Sequence, residues 1–138
     1  MTLTTSSTQT IASVILVVED EVLIRMHIAQ YLRECGYKVI EAADADEALE
    51  VLQSDHAVDL VLTDVQMPGK MDGFGLAQWV RNNKQGLTTI LAGTPERAAN
   101  TAAELCEEGP SLSKPYEPQV LLDLIRRQLG LYDMATVS

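Results

Sequence analysis

Apolar and polar positions along this chain alternate between two patterns. Short strand-like runs occur at Val14–Val18, Tyr37–Ala42, Leu60–Thr63 and Thr88–Ala92, with a shorter one at Leu112–Ser113. Runs of this length bounded by turn residues suit strands covered on both faces, as in a parallel sheet. Between them the period changes to that of a helix. Ile24, Ile28, Leu32 and Cys35 recur at helical spacing, with Arg25 and Arg33 on other faces, and Gly36 follows as the stop. Asp44 followed by Glu47 starts a second helix that carries Ala48, Leu49 and Leu52 inwards. Phe74–Val80 opens a third, with Trp79 as a packing residue, and Glu96–Glu107 forms an alanine-rich fourth between Pro95 and Gly109. Pro118 suits the first position of a fifth, with Val120, Leu121, Leu124, Ile125 and Leu129 inside and Gly130 at its end. Five strands alternating with five helices predict an α/β fold, a parallel sheet with helices on both faces.

The 138 residues suffice for one domain with a real core and not for two. Residues 1–11, rich in Thr and Ser and without charge, read as a disordered lead-in, residues 12–132 as the domain and residues 133–138 as a tail. A net charge of −10 argues against nucleic acid or an anionic membrane as partner, and suits a cation or a basic protein surface. No apolar run approaches the roughly 18 residues of a membrane span, and no signal peptide opens the chain, so the expected location is the cytoplasm. Cys35 and Cys106 have no metal or redox spacing and are expected as reduced thiols. His27 and His56 lack partner residues and read as structural.

Candidate chemistry concentrates at strand ends. Asp64 follows the third run, and Glu19, Asp20 and Glu21 follow the first. In open α/β sheets ligands bind at the carboxyl ends of strands. If the two strands are neighbours, at least three carboxylates converge, and like charges that close repel unless a cation compensates. Mg²⁺ fits a site of few carboxylates plus water. Taken alone, the Glu19–Glu21 stretch reads better as a solvated helix start, and Lys114 as a surface lysine. Together, acids to hold a metal, an aspartate free to attack and a lysine for an oxyanion form a phosphoryl-transfer layout.

Four segments, Ile15–Glu21, Asp59–Gly69, Met71–Phe74 and Ser113–Tyr116, resemble in order and spacing the receiver domain of bacterial two-component response regulators. The resemblance covers about Val14 to Leu131. It implies a flavodoxin-like (βα)₅ fold of strand order 2-1-3-4-5. It further implies a phosphoacceptor rather than an enzyme, with Asp64 phosphorylated by a sensor histidine kinase or phosphotransfer protein. Mg²⁺ would be held by Asp20, Asp64 and the Gln66 carbonyl, with Glu19 acting through water. Lys114 would contact the phosphoryl group, and its bond to Pro115 would be cis. The family's fourth helix, fifth strand and fifth helix would serve as the face for an unnamed downstream protein or a second copy.

Two positions depart from that family. The hydroxyl expected at the end of strand four falls on Ala92, followed by Gly93, with Thr94 and Gln66 at positions that modulate hydrolysis. The aromatic expected three residues before Lys114 is Ser111. The leading expectation is therefore a stand-alone receiver with an atypical switch, acting through protein contacts or as a phosphate sink. A pseudo-receiver that works without phosphate is the alternative. A haloacid-dehalogenase-type phosphatase is disfavoured, since Gln66 stands where its second aspartate is needed.

Overall fold

The computed structural model describes residues 13–108 and 117–137, with side chains as far as residue 130. Among the described residues are four parallel strands: β1 (Val14–Val18), β2 (Lys38–Ala42), β3 (Leu60–Asp64) and β4 (Thr88–Ala92). They lie in the order β2-β1-β3-β4, the first four places of the expected 2-1-3-4-5. The fifth strand expected at Leu112–Ser113, and the lead-in through residue 11, fall outside the described residues.

Five helices accompany the strands: α1 (Val22–Glu34), α2 (Ala45–Gln53), α3 (Gly73–Asn83), α4 (Pro95–Glu108) and α5 (Pro118–Val137). Right-handed crossovers dictate where the first three lie. The step from β1 to β2 runs towards one edge and the later steps run towards the other, so α1 takes one face while α2 and α3 take the opposite one. Helices of 9 to 14 residues are marginal alone, so their stability comes from the faces they bury. On the first face Ile24, Ile28, Tyr31 and Leu32 of α1 pack with Ile15, Val17 and Leu62 of the sheet. Ala98, Ala99 and Ala102 of α4, and Leu121 and Ile125 of α5, complete that core. On the second face Leu16, Val18 and Val61 meet Ala48 and Leu52 of α2 and Leu76 and Val80 of α3, with Trp79 packed at the margin.

Local signals explain most boundaries. Gly36 follows α1 with φ of 104°, a conformation that favours glycine. The Asp44 side chain accepts from the Glu47 amide, and Glu47 Oε1 accepts from Ala43 N at 2.7 Å. Thr94 caps α4 by accepting from Arg97 N, and Pro95 takes its first position.

Three expectations need correction. Cys35 and Cys106 are joined in a disulfide and are not free thiols. The C-terminal cap of α1 and the last turn of α4 bring their Cα atoms to 5.4 Å although 71 positions separate them. The Tyr37 hydroxyl also donates to the Leu105 carbonyl, so α4 is tied twice to the end of α1 and the start of β2. Gly130 does not end α5, which continues to Val137 through most of the expected tail. A mid-helix glycine costs only about 1 kcal/mol, and Leu131, Tyr132, Met134 and Ala135 beyond it all tolerate helix. Val120 is exposed rather than inside, because Leu121 and Ile125 take the buried stripe.

Closing a loop of this length by a disulfide stabilises a fold by roughly 4 kcal/mol through the unfolded chain. Urea unfolding should therefore show a lower midpoint after reduction, and Cys35→Ser with Cys106→Ser should match the reduced wild type. An unchanged midpoint in both would mean that the pair does not constrain the chain.

Candidate functional site

The parallel register decides what meets at the carboxyl edge of the sheet. Val18 pairs with Thr63 across β1 and β3, so the residues that follow, Glu19 and Asp20 on one side and Asp64 on the other, leave the sheet side by side. Strand order reverses direction between these two strands, which is where an open α/β sheet forms a crevice. One carboxylate oxygen from each of Glu19, Asp20 and Asp64 lies within 4.8 Å of the other two. Glu19 is buried, Asp64 half-buried and Asp20 exposed.

Burial and crowding raise the affinity of this cluster for positive charge. Desolvation pushes the Glu19 carboxyl up to about 8, and the charge of Asp64 adds to it, against the Glu21 amide that donates to Glu19 Oε2 at 3.0 Å. Asp64 is also raised, first by burial and then by the charge of Asp20, with the Val65 and Gln66 amides opposing. The Val65 amide donates to Asp64 Oδ1 at 2.7 Å. An all-oxygen donor set that is strained as three anions fits a hard divalent ion.

The backbone around the cluster is held on several sides. Glu19 N donates to the Ala42 carbonyl at 3.0 Å, extending the β1–β2 ladder by one rung. Arg25 Nη1 donates to the Glu19 carbonyl at 2.8 Å, and its Nε pairs with Glu41 at 3.1 Å. Gly73, the first residue of α3, donates to the Val65 carbonyl at 2.7 Å. A Cβ there would stand 2.1 Å from the Asp64 carbonyl oxygen, so only glycine lets α3 approach so closely. Gly73 was visible in the sequence only as part of a motif, and Arg25 only as a polar position on the first helix.

The other sequence-predicted residues are distributed unevenly. Ala92 pairs directly with Asp64 across β3 and β4 and is buried. Gly93 and Thr94 follow it on the surface, the Thr94 hydroxyl being engaged as the α4 cap. Gln66 is exposed two residues after Asp64. Ser111, Lys114 and Pro115 lie outside the described residues. His56 Nδ1 meets the Ser54 hydroxyl at 2.7 Å, before the start of β3 and so at the opposite end of that strand from Asp64.

The profile of the response regulator receiver domain matches residues 15–126, most of the chain. The chain belongs to this family. The sensor histidine kinase RcsC of Escherichia coli K12 is 40% identical over 121 residues, which are 86% of this chain and 12% of that protein. The receiver thus spans only a small part of that relative. The chemotaxis response regulator CheY4 of Vibrio cholerae shares 29% identity at a TM-score of 0.56, covering 85% of this chain and 98% of its own. The response regulator TrrA of Thermotoga maritima, solved in complex with Mg(2+)-BeF, is 34% identical at a TM-score of 0.51, over 57% of this chain and 65% of that one. The receiver fold is flavodoxin-like, as the strand order requires. No helix among the described residues is long and apolar enough to cross a membrane.

Two outcomes follow for the receiver. Glu19 takes its proton more readily when folded than when unfolded, so the folded state binds more protons between about pH 4.5 and 8. Metal-free stability should therefore fall as pH rises through that window, with Asp64 acting in the same direction. Melting temperatures in EDTA should show the decline, and Glu19→Gln should flatten it; a slope unchanged by that substitution would move the cause elsewhere. Gly73→Ala should lower the melting temperature markedly, by a backbone shift at Asp64, and an unaffected variant would show that α3 can retreat.

Proposed function

We propose that this receiver accepts a phosphoryl group on Asp64 from a histidine kinase or phosphotransfer protein, in a reaction that needs Mg²⁺. The observation that carries this reading is the convergence of Asp64 with Glu19 and Asp20 at the β1–β3 crevice. Asp20, Asp64 and the Gln66 carbonyl would hold the ion, with Glu19 acting through water. Bound there, Mg²⁺ would neutralise charge on the transferring phosphoryl oxygens. The chain's own part is positional. The end of β3 presents a half-buried carboxylate, oriented by the Val65 amide that donates to its Oδ1, and in this reading that carboxylate is the nucleophile. Lys114, outside the described residues, would meet the phosphoryl group through its ammonium.

The response to phosphate is proposed to be atypical. Ala92, beside Asp64 in the register, offers no hydroxyl to follow a phosphoryl oxygen, and Ser111 offers no ring to rearrange. Conformational change requires a contact that differs between the two states. Thr94 could supply one by donating its hydroxyl proton while its oxygen still accepts from Arg97 N, but no hydroxyl stands at Ala92, beside Asp64. The same observation favours, as a second reading, a module whose partner contacts do not depend on phosphate.

Incubation with acetyl phosphate and Mg²⁺ should raise the intact mass by one phosphoryl group, and Asp64→Asn or removal of Mg²⁺ should abolish the gain. Full labelling of the Asn variant would sink the assignment. With beryllofluoride and Mg²⁺, amide shifts should concentrate in the loops after β1, β3 and β4. Wide shifts through α5 that vanish in Thr94→Ala would instead make Thr94 the switch hydroxyl.

A further inference from the structure

Both backbone polar groups of Glu19 are held. Its amide belongs to the ladder with β2. Its carbonyl, one residue beyond the end of β1, would otherwise have no strand partner; Arg25 reaches back from the first turn of α1 and donates to it at 2.8 Å. The Arg25 side chain is only 15% exposed and is itself fixed by Glu41 of β2 through Nε, at 3.1 Å. Glu41 is shared: its other oxygen accepts from Arg33 Nη1 at 3.1 Å, while Arg33 Nη2 donates to the Val39 carbonyl at 2.9 Å. A guanidinium fork is suited to such a bridge, since its donors lie in one rigid plane.

We propose that Arg25 is a positioning residue for the cation site: by holding the Glu19 carbonyl against Glu41, it sets the peptide that aims Glu19 and Asp20 at the ion. The inference rests on the phosphoacceptor reading for the identity of the ion. Charge and geometry make opposite demands here, which gives the proposal a sign. A guanidinium close to a divalent cation opposes its binding by Coulomb repulsion. If charge were its whole effect, removing Arg25 would tighten Mg²⁺ binding. If it positions the acids, removal loosens binding despite the lost repulsion.

Calorimetric titration of the full chain with Mg²⁺ separates these. Arg25→Gln and Arg25→Lys should both bind about tenfold more weakly than wild type, the usual effect of losing an outer support of a metal ligand. The lysine variant keeps the charge and loses the fork, so it should not rescue. Glu41→Gln should weaken binding in the same direction, and adding it to Arg25→Gln should cost little more, because the two act through one contact. Weakened binding at an unchanged melting temperature in EDTA would exclude general destabilisation. Tighter binding in Arg25→Gln with wild-type binding in Arg25→Lys would overturn the proposal in favour of charge alone. If Arg25→Gln does not fold, Arg25→Lys and Glu41→Gln carry the test through the metal-free amide shifts of Asp20 and Glu21. Those shifts should move, and unmoved shifts would overturn it. A wild type whose Mg²⁺ uptake is absent, or indifferent to Asp64→Asn, overturns the reading beneath as well; normal wild-type binding with unaffected Arg25 variants overturns only the positioning role.

Discussion

Crowded negative charge at one edge of the sheet is the constraint to which the surrounding structure answers. Glu19, Asp20 and Asp64 stand close enough to oppose one another's ionisation, and Glu19 is removed from bulk water while Asp64 is partly so. Such a cluster exists only if the strands beneath it cannot separate. β1 and β3 supply that rigidity, since both are buried on two faces and joined rung by rung up to the acids themselves. The cost of the cluster is thus met by apolar burial several ångströms below it.

Positive charge is deployed one layer out. Arg25 and Arg33 share Glu41 along the β2 side, so the guanidinium bonded to the Glu19 carbonyl is already engaged with a carboxylate as well. The exposed Arg126–Glu96 pair between α5 and α4 sits in solvent, where such pairs contribute little. The half-buried Arg25 is a different case: one bond ends on the Glu41 carboxylate and the other on main chain, where a hydrogen bond defines geometry as well as energy.

The reading of the sequence succeeded where the signal was local. Val14–Val18 is apolar throughout because both its faces are covered, and Asp44 with Glu47 announces a helix start by short-range bonds alone. The acidic ends of β1 and β3 were expected to meet on the condition that the two strands are neighbours, and the strand order meets that condition. What escaped was set by contacts distant in the chain. Cys35 and Cys106 carry no spacing that betrays a bond across 71 positions. Arg25 points along a helix surface in any periodic plot, and only the fold shows it turning back to a strand end. Gly130 reads as a stop, yet residues beyond it continue the helix, so a local cost was outweighed.

The disulfide also divides the molecule into a ring and two arms. The covalent ring from Cys35 to Cys106 contains β2, β3, β4 and Asp64, while β1, with Glu19 and Asp20, belongs to the amino-terminal arm. The arm's strand is not at the margin. It lies between β2 and β3, two strands of the ring that touch each other nowhere in the sheet. The ring's own sheet is therefore interrupted, and the arm is the piece that fills the gap. The three acids consequently straddle the seam, one on the ring and two on the arm, so any ion they share would act as a clasp between two topologically separate parts of one chain.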